Sequence, residues 1–180
     1  MTPSETQANF LVGQLLTVAT QKVSSSFDIF SGWLAAGFGA AFALFIANLQ
    51  SMSEFVTLGS VKSAAFVFLV SAVLAVIAKL LASFIAAGTA AAIEGAAIGR
   101  DIAERQVQID IATFFVETEK ALFWPGSWFA RCAFAKAQAG DFAGPGRMYT
   151  KVAQVQALAV IAQAVLCLVS AVIIVRGLAV

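Results

Sequence analysis

Three long uncharged stretches dominate the pattern of hydrophobic and polar positions along the chain. Residues 29–53 hold no charged side chain in 25 positions, residues 63–93 hold one in 31, and residues 152–175 hold none in 24. Each stretch exceeds the roughly 20 apolar residues that a helix needs to cross about 30 Å of hydrocarbon. Apolar and polar positions do not alternate, as they would in membrane β-strands. The pattern therefore predicts an all-α integral membrane protein with transmembrane helices over residues 29–50, 63–93 and 152–180.

The first 27 residues form a separate element in this prediction. Thr2, Pro3 and Glu5 match a capping threonine, a proline in the first helical turn and the glutamate of a capping box. Apolar residues then recur at helical spacing, at Leu11, Leu15 and Val18. We expect an N-terminal amphipathic helix over residues 1–27 that lies in the membrane interface or packs on the bundle.

Basic residues predict the orientation of the chain in the membrane. Seven of them lie between the second and third spans, whereas the turn between the first two spans carries only Lys62. Basic residues near helix ends are held on the cytoplasmic side. We therefore expect a multi-pass protein of a bacterial inner membrane, with the N-terminus and residues 94–151 in the cytoplasm and the C-terminus outside.

The second helix is predicted to be longer than the membrane requires. Residues 61–123 contain no proline and Pro125 stops the pattern, so one helix can run for about 60 residues. Its distal part carries an amphipathic stripe from Ile98 to Val116. We expect residues 94–151 to form a cytoplasmic stalk with a short helical hairpin, in which a helix begins after Pro125 and ends at Gly140. The predicted divisions of the chain are thus 1–27, 28–93, 94–151 and 152–180.

Small residues recur at every fourth position along this second helix. They form a candidate helix-packing ridge, made of Ser71, Ala75, Ser83, Ala87, Ala91, Gly95 and Gly99. Small side chains let two membrane helices approach closely, which supplies dispersion contacts where no hydrophobic driving force exists between helices. Packing against the first helix of the same chain and self-association are equally compatible with this pattern.

A polar face is predicted on the third span. Gln156, Gln163 and Ser170 recur every seven residues, so they share one side of a helix, with Gln163 near the middle of the bilayer. A glutamine there requires a partner for its amide. One interpretation is an interhelical hydrogen bond that fixes helix packing, and the other is the lining of a water-filled path.

Three basic residues lie where a span meets the membrane surface. Lys79 falls near the inner end of the second span, and Arg147 and Lys151 immediately precede the third. Long basic side chains extend their charged groups to the phosphate level from such positions. We treat these three residues as candidate lipid headgroup contacts.

Composition excludes several classes of function. Hydrophobic residues make up 61% of the chain and charged residues 12%, against about 45 to 50% and about 25% in soluble proteins. The net charge of +1 does not indicate a nucleic-acid partner. The chain has no histidine, and Cys132 and Cys167 alone make neither a zinc site nor a disulfide framework. We expect no catalytic residue, no metal site and no cofactor.

Two hypotheses for function follow from the pattern. The first is a non-enzymatic homo-oligomer that forms or gates a pore, with the cytoplasmic helices as an assembly or sensing module. The alternative is an accessory or scaffold subunit that docks a partner through those helices. Expected partners are the lipid bilayer, further copies of this chain or other membrane-protein subunits.

The predicted arrangement of residues 29–120 can be compared with a known architecture. A hairpin of two membrane helices that continues into a cytoplasmic helix resembles the two-helix membrane effectors of bacterial anti-phage systems. The resemblance implies a membrane part that assembles and perturbs the membrane. The third span departs from that pattern, and no functional residue is carried over.

Overall fold

The chain is helical throughout most of the part that the computed structural model describes, which is residues 3–52, 56–105, 110–122, 124 and 126–178. The helices are α1 Pro3–Ala47, α2 Leu49–Met52, α3 Leu58–Glu104, α4 Ile111–Lys120, α5 Gly126–Gln138 and α6 Gly144–Arg176. Between helices the described residues hold one isolated bridge, which joins Val56 and Leu178. Three helices, α1, α3 and α6, are long and apolar enough to cross a membrane. The prediction of an all-helical chain with three candidate spans is confirmed.

The N-terminal segment and the first candidate span form one helix, which differs from the prediction of two elements. α1 runs for 45 residues without a break. No glycine or proline occurs in residues 14–31, so nothing in that stretch disfavours helical dihedral angles. Ser24 is accommodated because its hydroxyl donates to Gln156 Oε1 on α6 at 2.7 Å. α1 ends where Asn48 donates both its backbone N–H and its Nδ2 to the carbonyl of Leu44.

The predicted single helix over residues 61–123 is divided in the structure. α3 ends at Glu104, and α4 begins at Ile111. Asp110 caps α4, because its carboxylate accepts the backbone N–H of Thr113 at 3.3 Å and the Thr113 hydroxyl at 2.6 Å. Residues 106–109, which include part of the predicted stripe, lie outside the described residues.

The connection between α5 and α6 begins at Gly140. Gly140 has a φ of 80°, and the backbone N–H groups of Gly140 and Asp141 donate to the carbonyls of Ala137 at 3.0 Å and Lys136 at 2.9 Å. This is a Schellman ending, which favours glycine. Gly144, Pro145 and Gly146 form the first turn of α6, where proline has no hydrogen bond to lose.

The chain divides into two compact units, of which the second comprises residues 23–84 and 153–180. Within it α1 and α6 run parallel, because Ser24 bonds Gln156 and Ser31 bonds Gln163. α3 runs in the opposite direction, since Ser71 bonds the carbonyl of Gln163 while Ala64 accepts from Ser170 further along α6. The second unit is thus a three-helix bundle whose helices alternate in direction along the chain.

The first unit comprises residues 1–22 and 85–152. Glycines allow close packing within it: a methyl group on Gly13 would lie 2.5 Å from the carbonyl oxygen of Phe142, and one on Gly146 would lie 2.9 Å from that of Gly13. The rings of Phe10 and Phe142 meet edge to face at 6.4 Å. α4 packs on α5 in the same unit.

Candidate functional site

The described helices bury small and polar residues and expose large apolar ones, the reverse of a water-soluble core. Nine polar residues of the described chain are buried: Thr17, Thr20, Ser24, Ser31, Ser71, Thr89, Gln156, Gln163 and Ser170. The exposed side includes Trp33 at 75%, Leu80 at 65% and Leu158 at 66%. Lipid tails solvate such an exterior, while small interior residues allow close helix packing. This distribution agrees with three helices that span a membrane.

Gln163 is the centre of the buried polar network. It is 1% exposed. Its Oε1 accepts the hydroxyl of Ser31 at 2.6 Å, and its Nε2 donates to the carbonyl oxygen of the same serine at 3.1 Å. Ser71 of α3 donates to the backbone carbonyl of Gln163 at 3.2 Å and also meets Cys167 Sγ at 3.1 Å. All three long helices of the second unit therefore meet at this residue.

Gln156 repeats the same arrangement one heptad earlier. Its Oε1 accepts the Ser24 hydroxyl at 2.7 Å, and its Nε2 donates to the Ser24 carbonyl at 3.1 Å. Ser170, one heptad after Gln163, donates to the carbonyl of Ala64 at 2.9 Å. The structure thus places the three predicted residues on one buried face, as the interpretation of interhelical hydrogen bonds requires. Within the described part of the chain, this face meets other helices and not a water-filled path.

The serine partners on α1 were absent from the predicted site. Ser24 and Ser31 are seven residues apart, the same spacing as Gln156 and Gln163. Two helices that pack in parallel with seven-residue periodicity place such positions opposite one another. The matched spacing was the available signal, but it becomes informative only once α1 and α6 are known to be parallel neighbours.

An ion pair joins α1 and α3 and involves another residue that the sequence pattern did not single out. Lys79 Nζ lies 2.7 Å from Asp28 Oδ2, with side chains that are 67% and 25% exposed. Asp28 Oδ1 is buried and has no hydrogen-bond partner in the described structure. The predicted lipid contact of Lys79 therefore competes with a carboxylate of the same chain.

The predicted packing ridge of α3 is divided between the interior and the exterior. Ser71 is buried and Ala75 is half-buried, whereas Ser83, Ala87, Ala91, Gly95 and Gly99 are exposed. The buried positions of α3 follow a seven-residue repeat instead, at Ala64, Ser71, Ala78 and Ile85. A four-residue step drifts by about 40° per repeat on a helix with 3.6 residues per turn, so the ridge leaves the bundle interior after Ala75.

The two basic residues at the start of α6 differ in their partners. Arg147 forms an ion pair with Asp141 and its side chain is 50% exposed. Lys151 is exposed one turn later on the same helix. Both side chains thus remain accessible at the point where the uncharged segment of α6 begins at residue 152.

The aromatic residues of the predicted hairpin do not form an enclosed cluster in the described part of the chain. Trp124 is 77% exposed and Trp128 is 55% exposed, with the Trp128 ring edge-on to Phe129 at 4.8 Å. Ile98 and Val116, at the two ends of the predicted stripe, are 54% and 51% exposed. The described residues therefore leave these apolar positions accessible.

Among the described residues, no group of three or more His, Cys, Asp and Glu side chains is placed to hold a metal ion. Cys167 is buried against Ser71 and Cys132 is half-buried. What the geometry does provide is a fixed helix bundle with a separate outward-facing row of small residues.

No protein family, curated protein or solved structure matches this chain. Function is therefore inferred from the geometry of the helices alone.

Proposed function

We propose that this is a non-enzymatic integral membrane protein that acts as a scaffold subunit and assembles with further copies of itself through α3. The surface of assembly is the exposed ridge of Ala87, Ala91, Gly95 and Gly99. The proposal depends on one observation, the contrast between the open surroundings of Gly95 and Gly99 and the close neighbours of Gly13 and Gly88 in the same unit.

Two other glycines of the first unit have close neighbours. A methyl group on Gly13 would strike backbone atoms of Phe142 and Ala143, and one on Gly88 would overlap the ring of Tyr149. Gly95 and Gly99, by contrast, have no atom of the described residues within 4 Å of the position that a methyl group would take. A glycine in the middle of a helix lowers the stability of that helix by about 1 kcal/mol relative to alanine. A second helix approaching this ridge would account for both residues.

Membrane geometry limits how copies can meet. Copies inserted with one orientation in one bilayer are related by an axis along the membrane normal, so their α3 helices run parallel. Small residues at a four-residue spacing suit parallel pairs with a crossing angle near −40°. We therefore propose a parallel α3 contact, with the N-terminus and residues 94–151 on the cytoplasmic side of the membrane. Ala87 and Ala91 then meet their counterparts within the membrane, and the contact continues to Gly95 and Gly99 at its cytoplasmic end.

The pore function expected from the glutamine face is not part of this proposal. Gln156 and Gln163 direct both halves of their amides to serines of the same chain. An assembly that used those amides to line a channel would first have to break these bonds. A role in holding copies or partner subunits together requires no such rearrangement.

Disulfide trapping in native membranes tests the proposed contact. In a background with C132A and C167A, we expect A91C to form a cross-linked dimer on mild oxidation. I93C is the matched control, because it is exposed only two residues away but turned by about 200° around α3. Dimer from both positions, or from neither, would contradict the ridge as the contact.

A second measurement tests whether the partner of the ridge is another copy of this chain. The mass of the purified assembly in mild detergent should be a multiple of 18.7 kDa, and the double change G95L with G99L should reduce it to that of one chain. A97L, exposed on the opposite side of α3, is the control. Purification of single chains bound to a different membrane protein would replace self-assembly with the accessory-subunit alternative.

A further inference from the structure

We infer that a basic cluster formed by Lys136, Arg147 and Lys151 binds the phosphate of an anionic phospholipid in the membrane that α6 crosses. The inference rests on the proposed membrane location and adds a ligand that the assembly proposal does not require. The proposed cluster differs by one exchange from the lipid contacts that the sequence predicts. Lys136 joins the cluster, and Lys79 leaves it because its ammonium group is paired with Asp28.

Charge is segregated along the first unit. Residues 94–120 carry six acidic and three basic side chains, whereas residues 126–152 carry one acidic and four basic side chains. The net charges are therefore −3 and +3. The basic segment is the one that leads directly into the uncharged part of α6 at residue 152. Positive charge is thus concentrated where the chain enters the membrane, and an anionic leaflet attracts it there.

The turn between α5 and α6 brings Lys136 and Asp141 together around one glycine. A methyl group on Gly144 would lie 2.7 Å from Lys136 Cδ and 2.8 Å from Asp141 Oδ2. The Lys136 side chain and the Asp141 carboxylate therefore both lie over Gly144, and a methyl group there would displace them. The Schellman ending at Gly140 fixes this geometry through the hydrogen bond from Asp141 N–H to the Lys136 carbonyl.

Asp141 orients the cluster without neutralising it. Its Oδ1 pairs with the guanidinium of Arg147, which leaves the other donors of that group for a phosphate, since a guanidinium has five N–H donors. Lys151 follows one turn later on the same face of α6 and is exposed. Three cations and one carboxylate give a net charge of +2 beside the first turns of α6, which lead into its uncharged part.

Lipid titration measured by native mass spectrometry tests the inference. The intact protein in a neutral detergent is titrated with phosphatidylglycerol and, separately, with phosphatidylcholine of the same acyl chains. We expect the wild type to prefer phosphatidylglycerol, and the triple change K136Q, R147Q and K151Q to lower that preference by about fivefold for each charge removed. Circular dichroism establishes that the variant keeps its helix content.

The matched control removes three cations from the acidic segment of the same unit. The triple change R100Q, R105Q and K120Q alters the net charge equally, and two of its residues already pair with carboxylates within that segment, at Asp101 and Glu117. It should keep the preference for phosphatidylglycerol. Equal losses in the two triple variants would show a dependence on total charge and would overturn the site.

Two additional measurements distinguish a lipid headgroup from free phosphate and from membrane insertion alone. Soluble glycerol 3-phosphate, added in excess, should not displace phosphatidylglycerol, and full displacement would identify a free-phosphate site and overturn the lipid assignment. Flotation with vesicles of pure phosphatidylcholine tests insertion alone. Protein that fails to float contradicts the proposed membrane function, whereas protein that floats but shows no headgroup preference contradicts only the lipid site.

Discussion

Gln163 and Ser31 satisfy each other's hydrogen-bonding groups across two parallel helices. The serine hydroxyl donates to Gln163 Oε1 at 2.6 Å, and Gln163 Nε2 donates back to the serine carbonyl at 3.1 Å. Both residues are buried, at 1% and 4% exposure. Gln163 thus bonds both the side chain and the main chain of Ser31. If α6 moved along α1 by one residue, both hydrogen bonds would break. The pair therefore sets the register of the two helices.

Replacement of Gln163 by leucine is expected to destabilise the bundle by about 1 kcal/mol, since interhelical hydrogen bonds in membranes average about 0.6 kcal/mol each. The free energy of unfolding in detergent micelles is the measurement. Gln154→Leu is the control, because Gln154 is exposed on the same helix, and it should leave the stability unchanged or raise it. A loss of equal size at both positions would mean that the Gln163 bonds contribute nothing specific.

Two features of the sequence made much of the second unit predictable. The uncharged lengths located the three candidate spans, and the seven-residue spacing located the face that carries Gln156, Gln163 and Ser170. Both features are local, since they depend on one helix at a time. Their partners were not predictable in the same way, because Ser24 and Ser31 become relevant only when α1 and α6 are parallel neighbours.

The ridge of α3 shows where a sequence pattern misleads about packing. Small residues at every fourth position suggested one continuous contact surface, but the bundle follows a seven-residue repeat. The four-residue and seven-residue patterns coincide at Ser71 and diverge after Ala75. Gly95 and Gly99 are therefore exposed. The break before α4 had a local signal in the sequence, because Asp110 can cap a helix by accepting the backbone N–H of Thr113. The absence of proline from residues 61–123 instead favoured one continuous helix.

Gly13→Ala is expected to destabilise the first unit by about 1 to 2 kcal/mol. The added methyl group would lie 2.5 Å from the Phe142 carbonyl oxygen and 3.2 Å from Ala143 Cα. These are backbone atoms, which can yield only if α1 separates from the turn that precedes α6. The gain in helix propensity, at most about 1 kcal/mol, offsets only part of this cost. Thermal unfolding followed by circular dichroism is the measurement. Gly32→Ala, whose added group has no atom of the described residues within 4 Å, should not lower the transition temperature.

Gly95→Ala is expected to have opposite effects on the single chain and on the assembly. In the single chain the methyl group meets open space, so helix propensity should raise the stability by up to about 1 kcal/mol. At a close contact between two α3 helices the same group separates the backbones and weakens association. Unfolding in dilute micelles reports the first effect, and energy transfer between labelled copies in vesicles reports the second. Unchanged energy transfer would count against the ridge.

Removal of the lysine from the Asp28–Lys79 pair should destabilise the second unit, because Asp28 then has no counter-charge at this contact. Lys79→Met removes the cation 2.7 Å from Asp28 Oδ2, and the other carboxylate oxygen is already buried without a partner in the described structure. Because the lysine is 67% exposed, the loss should be smaller than for a fully buried pair, about 1 to 2 kcal/mol.

Adding Asp28→Asn to Lys79→Met should restore part of that stability, since a neutral amide at position 28 no longer requires a counter-charge. Denaturant unfolding in micelles compares the single and double variants. Lys62→Met serves as the control, because it removes an exposed lysine of α3 and should have little effect. A double variant less stable than Lys79→Met alone would show that Asp28 stabilises the bundle through contacts other than the ion pair.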